Sequence, residues 1–138
     1  MLDKLFGLGG ERSDEIPAPV LEQILRAAAR HLPGLRWAVV ISMNGVVQEM
    51  YDPFGKTDRD RAAAMTAAAL SLGERISDEL RHGQLTCSIT AGVEGVFVVQ
   101  PLGERYVLGV SLPAETEIGA AMDALWQAVS SSYPGMAG

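Results

Sequence analysis

The sequence predicts an α+β domain, an α/β sandwich whose five-stranded, mainly antiparallel sheet carries helices in the order α-β-β-α-β-β-β-α. Three observations predict it. Apolar residues recur at helical spacing in three separate stretches, around residues 20–32, 62–80 and 118–129. Short runs rich in Val, Ile, Phe and Tyr lie between them. The links Asn44-Gly45, residues 92–95 and residues 101–103 are too short for a crossover, so the strands they join must pair antiparallel. Helices set against such a sheet define the class.

Residues 1–15 read as a flexible N-terminal tail, with Gly7, Gly9 and Gly10 followed by the mixed charges of Glu11, Arg12, Asp14 and Glu15. A second reading has Leu2, Leu5, Phe6 and Leu8 docking on a partner as a short amphipathic turn. The domain is expected over residues 16–133, with a C-terminal tail over 134–138. Pro17 and Pro19 suit a helix start. Val20, Leu21, Ile24, Leu25, Ala28 and Leu32 then make an apolar stripe opposite Glu22, Gln23, Arg26 and Arg30, and Pro33-Gly34 stops it. Residues 35–42 read as a buried strand, Asn44-Gly45 as a hairpin whose two residues both accept positive φ, and residues 46–51 as the returning strand.

After the loop Asp52-Pro53-Phe54-Gly55, Thr57 with Asp60 three residues on resembles a capping box. A long helix is expected to about His82. Its sheet-facing stripe is expected to be Ala62, Met65, Ala69, Leu72, Ile76 and Leu80, with Gly83 at the C′ position. Leu85, Cys87 and Ile89 alternate with polar residues over 84–90, the pattern of a half-buried strand. Residues 96–99 and 106–112 are two further strands, separated by a turn at Pro101-Leu102-Gly103. Pro113, Ala114 and Glu115 open a last helix whose apolar face is Ile118, Ala121, Met122, Leu125 and Val129.

Composition narrows the functional classes. A chain of 138 residues with 48% hydrophobic residues is one globular domain, burying roughly two-thirds of its unfolded surface. Eleven Lys and Arg against seventeen Asp and Glu leave a net charge of −6, with no basic cluster. Nucleic acid and anionic membrane surfaces both need such a cluster, so neither is an expected partner. The single cysteine, Cys87, makes no internal disulfide and, with only His31 and His82 at a distance, no zinc site. No apolar run approaches the roughly 20 residues of a bilayer span, and the first residues are too few and too charged for a signal peptide. A cytoplasmic protein without membrane insertion is expected.

No catalytic set emerges. Cys87 sits between apolar alternates and reads as a buried structural thiol. His31 and His82 fall at helix C-termini, where a cation meets the helix dipole favourably. Asp58 with Asp60 belongs to a first helical turn, and Glu74 with Asp78 to a solvated i, i+4 face. Gly7-Leu8-Gly9-Gly10 lacks the Lys and Ser/Thr of a phosphate loop. The expectation is no catalytic, cofactor-binding or metal-binding residue, and a protein that is not an enzyme.

The informative stretch is Ala62-Ala63-Ala64-Met65-Thr66-Ala67-Ala68-Ala69. Its helix propensity explains a helix but not why several faces lack charge. A helix apolar on several faces is buried on several faces. It is therefore expected to pack on its own sheet and against a second chain, with a two-fold dimer as the default symmetry.

From about residue 16 to 132 the chain resembles the Roadblock family, which includes the dynein light chains of that type. The signals are a strand ending at Ser42 before Asn44-Gly45, the Ala-rich helix running into Ser71-Leu72-Gly73-Glu74-Arg75, then His82-Gly83, Leu85, Ile89, Gly92, Gly95, Pro101 and Gly103. The resemblance implies a homodimer or heterodimer with the long helices side by side and the third strands joining the two sheets. The expected interface residues are Ala64, Ala68, Ser71, Arg75, Leu85 and Cys87. Prokaryotic members act on Ras-like small GTPases, and a gliding-motility regulator among them raises GTP hydrolysis. Eukaryotic relatives are scaffolds. This compact chain looks like the prokaryotic form. A GTPase is then expected on the outward stripe of the long helix, at Arg59, Thr66, Leu70, Glu74, Ser77 and Arg81, together with Ala63 by helical spacing. An arginine-finger role for Arg59 or Arg61 is not expected. Two alternatives stay open: a structural scaffold without effect on hydrolysis, and a small-ligand sensor module.

Overall fold

The computed structural model describes residues 15–133. The expected tails at 1–15 and 134–138 lie outside the described residues, apart from Glu15. The elements are α1 (Ala18–His31), β1 (Trp37–Ser42), β2 (Val47–Tyr51), α2 (Arg59–Glu79), β3 (Ser88–Gly92), β4 (Gly95–Leu102), β5 (Tyr106–Leu112) and α3 (Ile118–Ser132). The five strands form one sheet in the order β2-β1-β5-β4-β3, with every neighbouring pair antiparallel. This is the predicted class and element order.

Strand alternation divides the core in two. Ala38 and Val40 of β1, Val98 of β4 and Leu108 and Val110 of β5 face α1 and α3, meeting Leu21, Ile24, Leu25, Ala28, Leu125 and Val129. Val39, Ile41, Val99 and Val107 face the other way, against Ala63 and Leu70 of α2. Trp37 and Phe97 flank this second layer with ring centroids 5.6 Å apart. The helix pair α1/α3 thus covers one face of the sheet and α2 alone the other.

Several local expectations are corrected. At the first hairpin only Gly45 has positive φ (+83°); Gly45 N donates to Ser42 O at 2.9 Å, and Ser42 N to Val46 O at 2.9 Å. The turn therefore spans residues 42–45 with one left-handed residue. Gln48 is then skipped in the register, where Val40 faces Glu49 and Ile41 faces Val47. Asp58, not Thr57, caps α2: its Oδ1 accepts from Arg61 N at 3.0 Å.

The end of α2 closes at Arg81 rather than Gly83. His82 N donates to Ser77 O at 2.8 Å and Arg81 N to Asp78 O at 3.1 Å, the bond pair of a Schellman motif. Arg81 holds the left-handed position at φ +57°. Proline 113 opens a turn, Thr116 N donating to Pro113 O, and α3 starts only at Ile118 under a cap from Glu117, whose Oε1 accepts from Ala120 N at 2.7 Å.

The third strand starts at Ser88, four residues later than expected, so Cys87 is a half-buried residue ahead of it and not a mid-strand thiol. The cause is the fit of residues 83–87 to α2. Ser77 Oγ donates to Gly83 O at 2.6 Å, and a Cβ on Gly73 would lie 3.1 Å from Leu85 Cδ2. A segment clamped to the helix this way cannot also run beside β4. The partner of that missing stretch is Pro101, which lies within β4: it sits beyond Ser88↔Val99, the last pair with β3, where its missing N–H removes no ladder bond with that strand.

Candidate functional site

The site is built by the helix α2 and the sheet edge beside it. The alanine-rich sequence makes a helix of 21 residues, and its orientation is set by what lies beneath. Its buried residues are Ala62, Ala63, Thr66, Leu70, Gly73 and Ser77. Nearly all are small. They let the backbone ride low over the sheet, where a Cβ on Gly109 of β5 would come 2.6 Å from Thr66 Oγ1. The two polar groups buried there are satisfied within the chain: Thr66 Oγ1 donates to Ala62 O at 2.7 Å, and Ser77 Oγ to Gly83 O.

This reverses the expected orientation. Met65, Leu72, Ile76 and Leu80, assigned to the sheet, are 43%, 60%, 48% and 58% exposed. Ala62 is the member of that stripe that is fully buried, and Ala69 is half-buried. Conversely, the expected outward stripe points inward at Ala63, Thr66, Leu70 and Ser77. Only Arg59, Glu74 and Arg81 of the expected GTPase-contacting residues are exposed. Hydrophobicity ranked the faces by side-chain size, whereas the sheet selected the face with the closest backbone approach.

At 100° per residue, the outward surface of α2 divides into bands. Met65, Ala69, Leu72 and Ile76 form an apolar flank. Ala64, Ala68 and Arg75 run along the top, and Asp60, Ser71, Glu74 and Asp78 form the opposite, polar flank. The expected interface residues Ala64, Ala68, Ser71 and Arg75 are all exposed, while Leu85 and Cys87 are half-buried. The apolar flank lies on the β3 side: Ile76 shares a shallow hollow with His82, Leu85, Cys87 and Ser88.

The strand beside that flank is itself an open edge. β3 pairs with β4 alone, and its sequence Ser88-Ile89-Thr90-Ala91-Gly92 carries no charge and no proline. Ile89 is exposed, and Val93 at its turn is 95% exposed. The other edge, β2, differs: it carries Glu49 and the register break at Gln48, devices that discourage pairing. The exposed helix flank and the unprotected strand edge thus adjoin at one corner of the molecule. Sequence reading missed Met65, Leu72 and Ile76 as surface residues. The signal that could have found them is the run of small residues at the sheet-facing spacing.

The remaining candidates have structural settings. Asp58 is a helix cap. His31 and His82 are exposed at helix ends, and Glu74 and Asp78 are exposed on α2. Among the described residues no group of three or more His, Cys, Asp or Glu is arranged to hold a metal ion. No helix among them is long and apolar enough to cross a membrane. A hollow of about 590 Å³ beside Leu85, Pro101, Met122 and Trp126 is an open groove, not an enclosed chamber for a small ligand.

The comparisons with known proteins agree with this architecture. The Roadblock/LC7 domain family model matches residues 21–112. A Roadblock/LC7 domain from Streptomyces avermitilis superposes with a TM-score of 0.69 at 20% identity, covering 81% of this chain and 93% of that one. The gliding protein MglB from Thermus thermophilus gives 0.72 at 16% identity, covering 88% and 92%. Myxococcus xanthus MglB gives 0.73 at 14% identity, covering 84% and 86%. No curated protein matches the chain in sequence.

Proposed function

The chain belongs to the Roadblock/LC7 domain family, and from that premise we propose that it is a non-catalytic dimeric regulator of a Ras-like small GTPase. The observation that carries this reading is the apolar flank of α2, Met65, Leu72 and Ile76, lying exposed beside the uncharged edge strand β3. A monomer leaves that corner wet. A second copy related by a two-fold axis would cover it, pairing β3 with β3 and setting α2 beside α2. The dimer contact would then comprise Met65, Leu72, Ile76 and Ile89, bordered by Ala64, Ala68, Ser71, Arg75, Leu85 and Cys87.

The GTPase would sit on the remaining outward surface of the helix pair, reached by Arg59, Glu74 and Arg81. Thr66 and Leu70 have no part in it, because the sheet covers them, and Ser77 is buried against Gly83. The proposed setting is the cytoplasm, in a prokaryotic cell. The likeness to gliding proteins of the MglB type supports the GTPase as partner; stimulation of hydrolysis is the further step in the same reading.

The test is affinity capture from source-cell lysate loaded with a non-hydrolysable GTP analogue or with GDP, followed by turnover assays on whatever GTPase is retained. A Ras-like GTPase held in the GTP-analogue state and turning over faster with the protein present is the expected result. Retention without acceleration assigns the scaffold role instead. Retention of no GTPase in either state overturns the reading.

A further inference from the structure

Residues 83–87 lie between α2 and an open groove. They leave the helix through left-handed backbone at Arg81 (φ +57°) and Gly83 (φ +88°) and enter β3 at Ser88. Their hold on α2 is thin. Ser77 Oγ donates to Gly83 O at 2.6 Å, and Leu85 rests over Gly73, where a Cβ would lie 3.1 Å from Leu85 Cδ2. The groove is lined by Leu85 and Thr86 of this segment, Gln100 and Pro101 of β4, and Met122 and Trp126 of α3. Trp126 is 55% exposed there, although its helix otherwise faces the core.

We propose that this segment is a strap with a second seat, in which β3 extends along β4 and Leu85 covers Trp126. The register supports it. Continued from Ser88↔Val99, it sets Cys87 opposite Gln100, Thr86 opposite Pro101 and Leu85 opposite Leu102. Leu102 belongs to the α1/α3 layer, as does Val98 opposite Ile89, so Leu85 would turn from Gly73 to the side of Met122 and Trp126. The alternation of Leu85, Cys87 and Ile89 with polar residues already has the period of a strand. Pro101 governs the balance. Counting from the tight turn at Gly92↔Gly95, alternate pairs exchange two ladder bonds, and Thr86 with Pro101 would be one of these. Without an N–H, Pro101 supplies only its carbonyl, which keeps the second seat weak and the strap reversible. The seat on α2 leaves Leu85 at the border of the proposed dimer contact, and the seat on β4 withdraws it to close the groove. The two seats stand on the fold alone; only this link to assembly rests on the dimer reading.

Pro101→Val supplies the missing N–H, and Gly73→Ala crowds Leu85 out of its notch, so both favour the second seat. Trp37 and Trp126 are the two tryptophans, and Trp37→Phe leaves Trp126 as the reporter. In that background each substitution is expected to shift the emission to the blue and lower acrylamide quenching. With Trp37 retained, Pro101→Val should slow hydrogen exchange at Thr86 by about five-fold, the weight of one net hydrogen bond. Adding Leu85→Ala to Pro101→Val should remove the emission shift and keep the slowed exchange, because the covering side chain is gone and the ladder is not. Emission and exchange that Pro101→Val leaves unchanged overturn the proposal. An emission shift that survives Leu85→Ala overturns it as well. The same series is read across concentrations at which sedimentation velocity separates monomer from dimer. A shift confined to the dimer overturns the strap and assigns the burial of Trp126 to a second copy. A shift kept in the monomer is the expected result, whether or not a dimer forms.

Discussion

Thr66 and Gly109 meet so closely that a Cβ on the glycine would lie 2.6 Å from Thr66 Oγ1 and 3.1 Å from its Cγ2. This contact sets the height of α2 above the sheet and, through it, which helix face remains outside. Gly109→Ala should therefore destabilise the fold by roughly 1–3 kcal/mol, the usual range for an overpacked core. Thr66→Ala removes both clashing atoms and should recover part of that loss. A double-mutant cycle by urea denaturation measures the coupling, and purely additive effects would contradict the contact.

Arg81 occupies a left-handed backbone position at the end of α2, which is strained for a residue with a Cβ. Arg81→Gly should raise stability by about 0.5–1 kcal/mol, the left-handed penalty less the extra chain entropy of glycine. The midpoint of denaturant unfolding reports it. A fall in the midpoint would mean that the arginine side chain contributes more than its backbone costs.

The cap assignment separates two neighbouring residues. Asp58→Ala should cost about 1 kcal/mol, because Arg61 N loses its acceptor. Thr57→Ala should change stability by less than about 0.5 kcal/mol, as expected away from a cap. Equal effects at both positions would return Thr57 to the capping role.

The exposed flank of α2 makes a prediction about assembly rather than folding. Leu72→Asp and Ile76→Asp place charge on side chains that are 60% and 48% exposed in the monomer. Each should dissociate the proposed dimer while leaving the helical circular dichroism intact. Ile89→Lys on the open edge strand should do the same. Sedimentation velocity across a concentration series is the measurement, and a dimer that survives all three substitutions would place the contact elsewhere.

For the type and order of the elements the sequence was a sufficient guide, although the cap expected at Thr57 lies at Asp58 and the helix end expected at Gly83 lies at Arg81. Helical spacing, β-branched runs and the short links at Gly45 and Gly103 determined the element order and the antiparallel sheet. They depend on backbone geometry that a few adjacent residues control. Joint order of turn glycines and apolar runs also carried the family resemblance. What it could not determine was the rotation of α2. Met65, Leu72 and Ile76 form the more hydrophobic stripe, yet Ala63, Thr66 and Leu70 face the sheet, because Gly109, more than thirty residues away in the chain, admits a helix only at close range. The same holds for Leu85 over Gly73, which delays β3 to Ser88. Each is a steric fit between distant segments, and such fits exist only once the chain has folded.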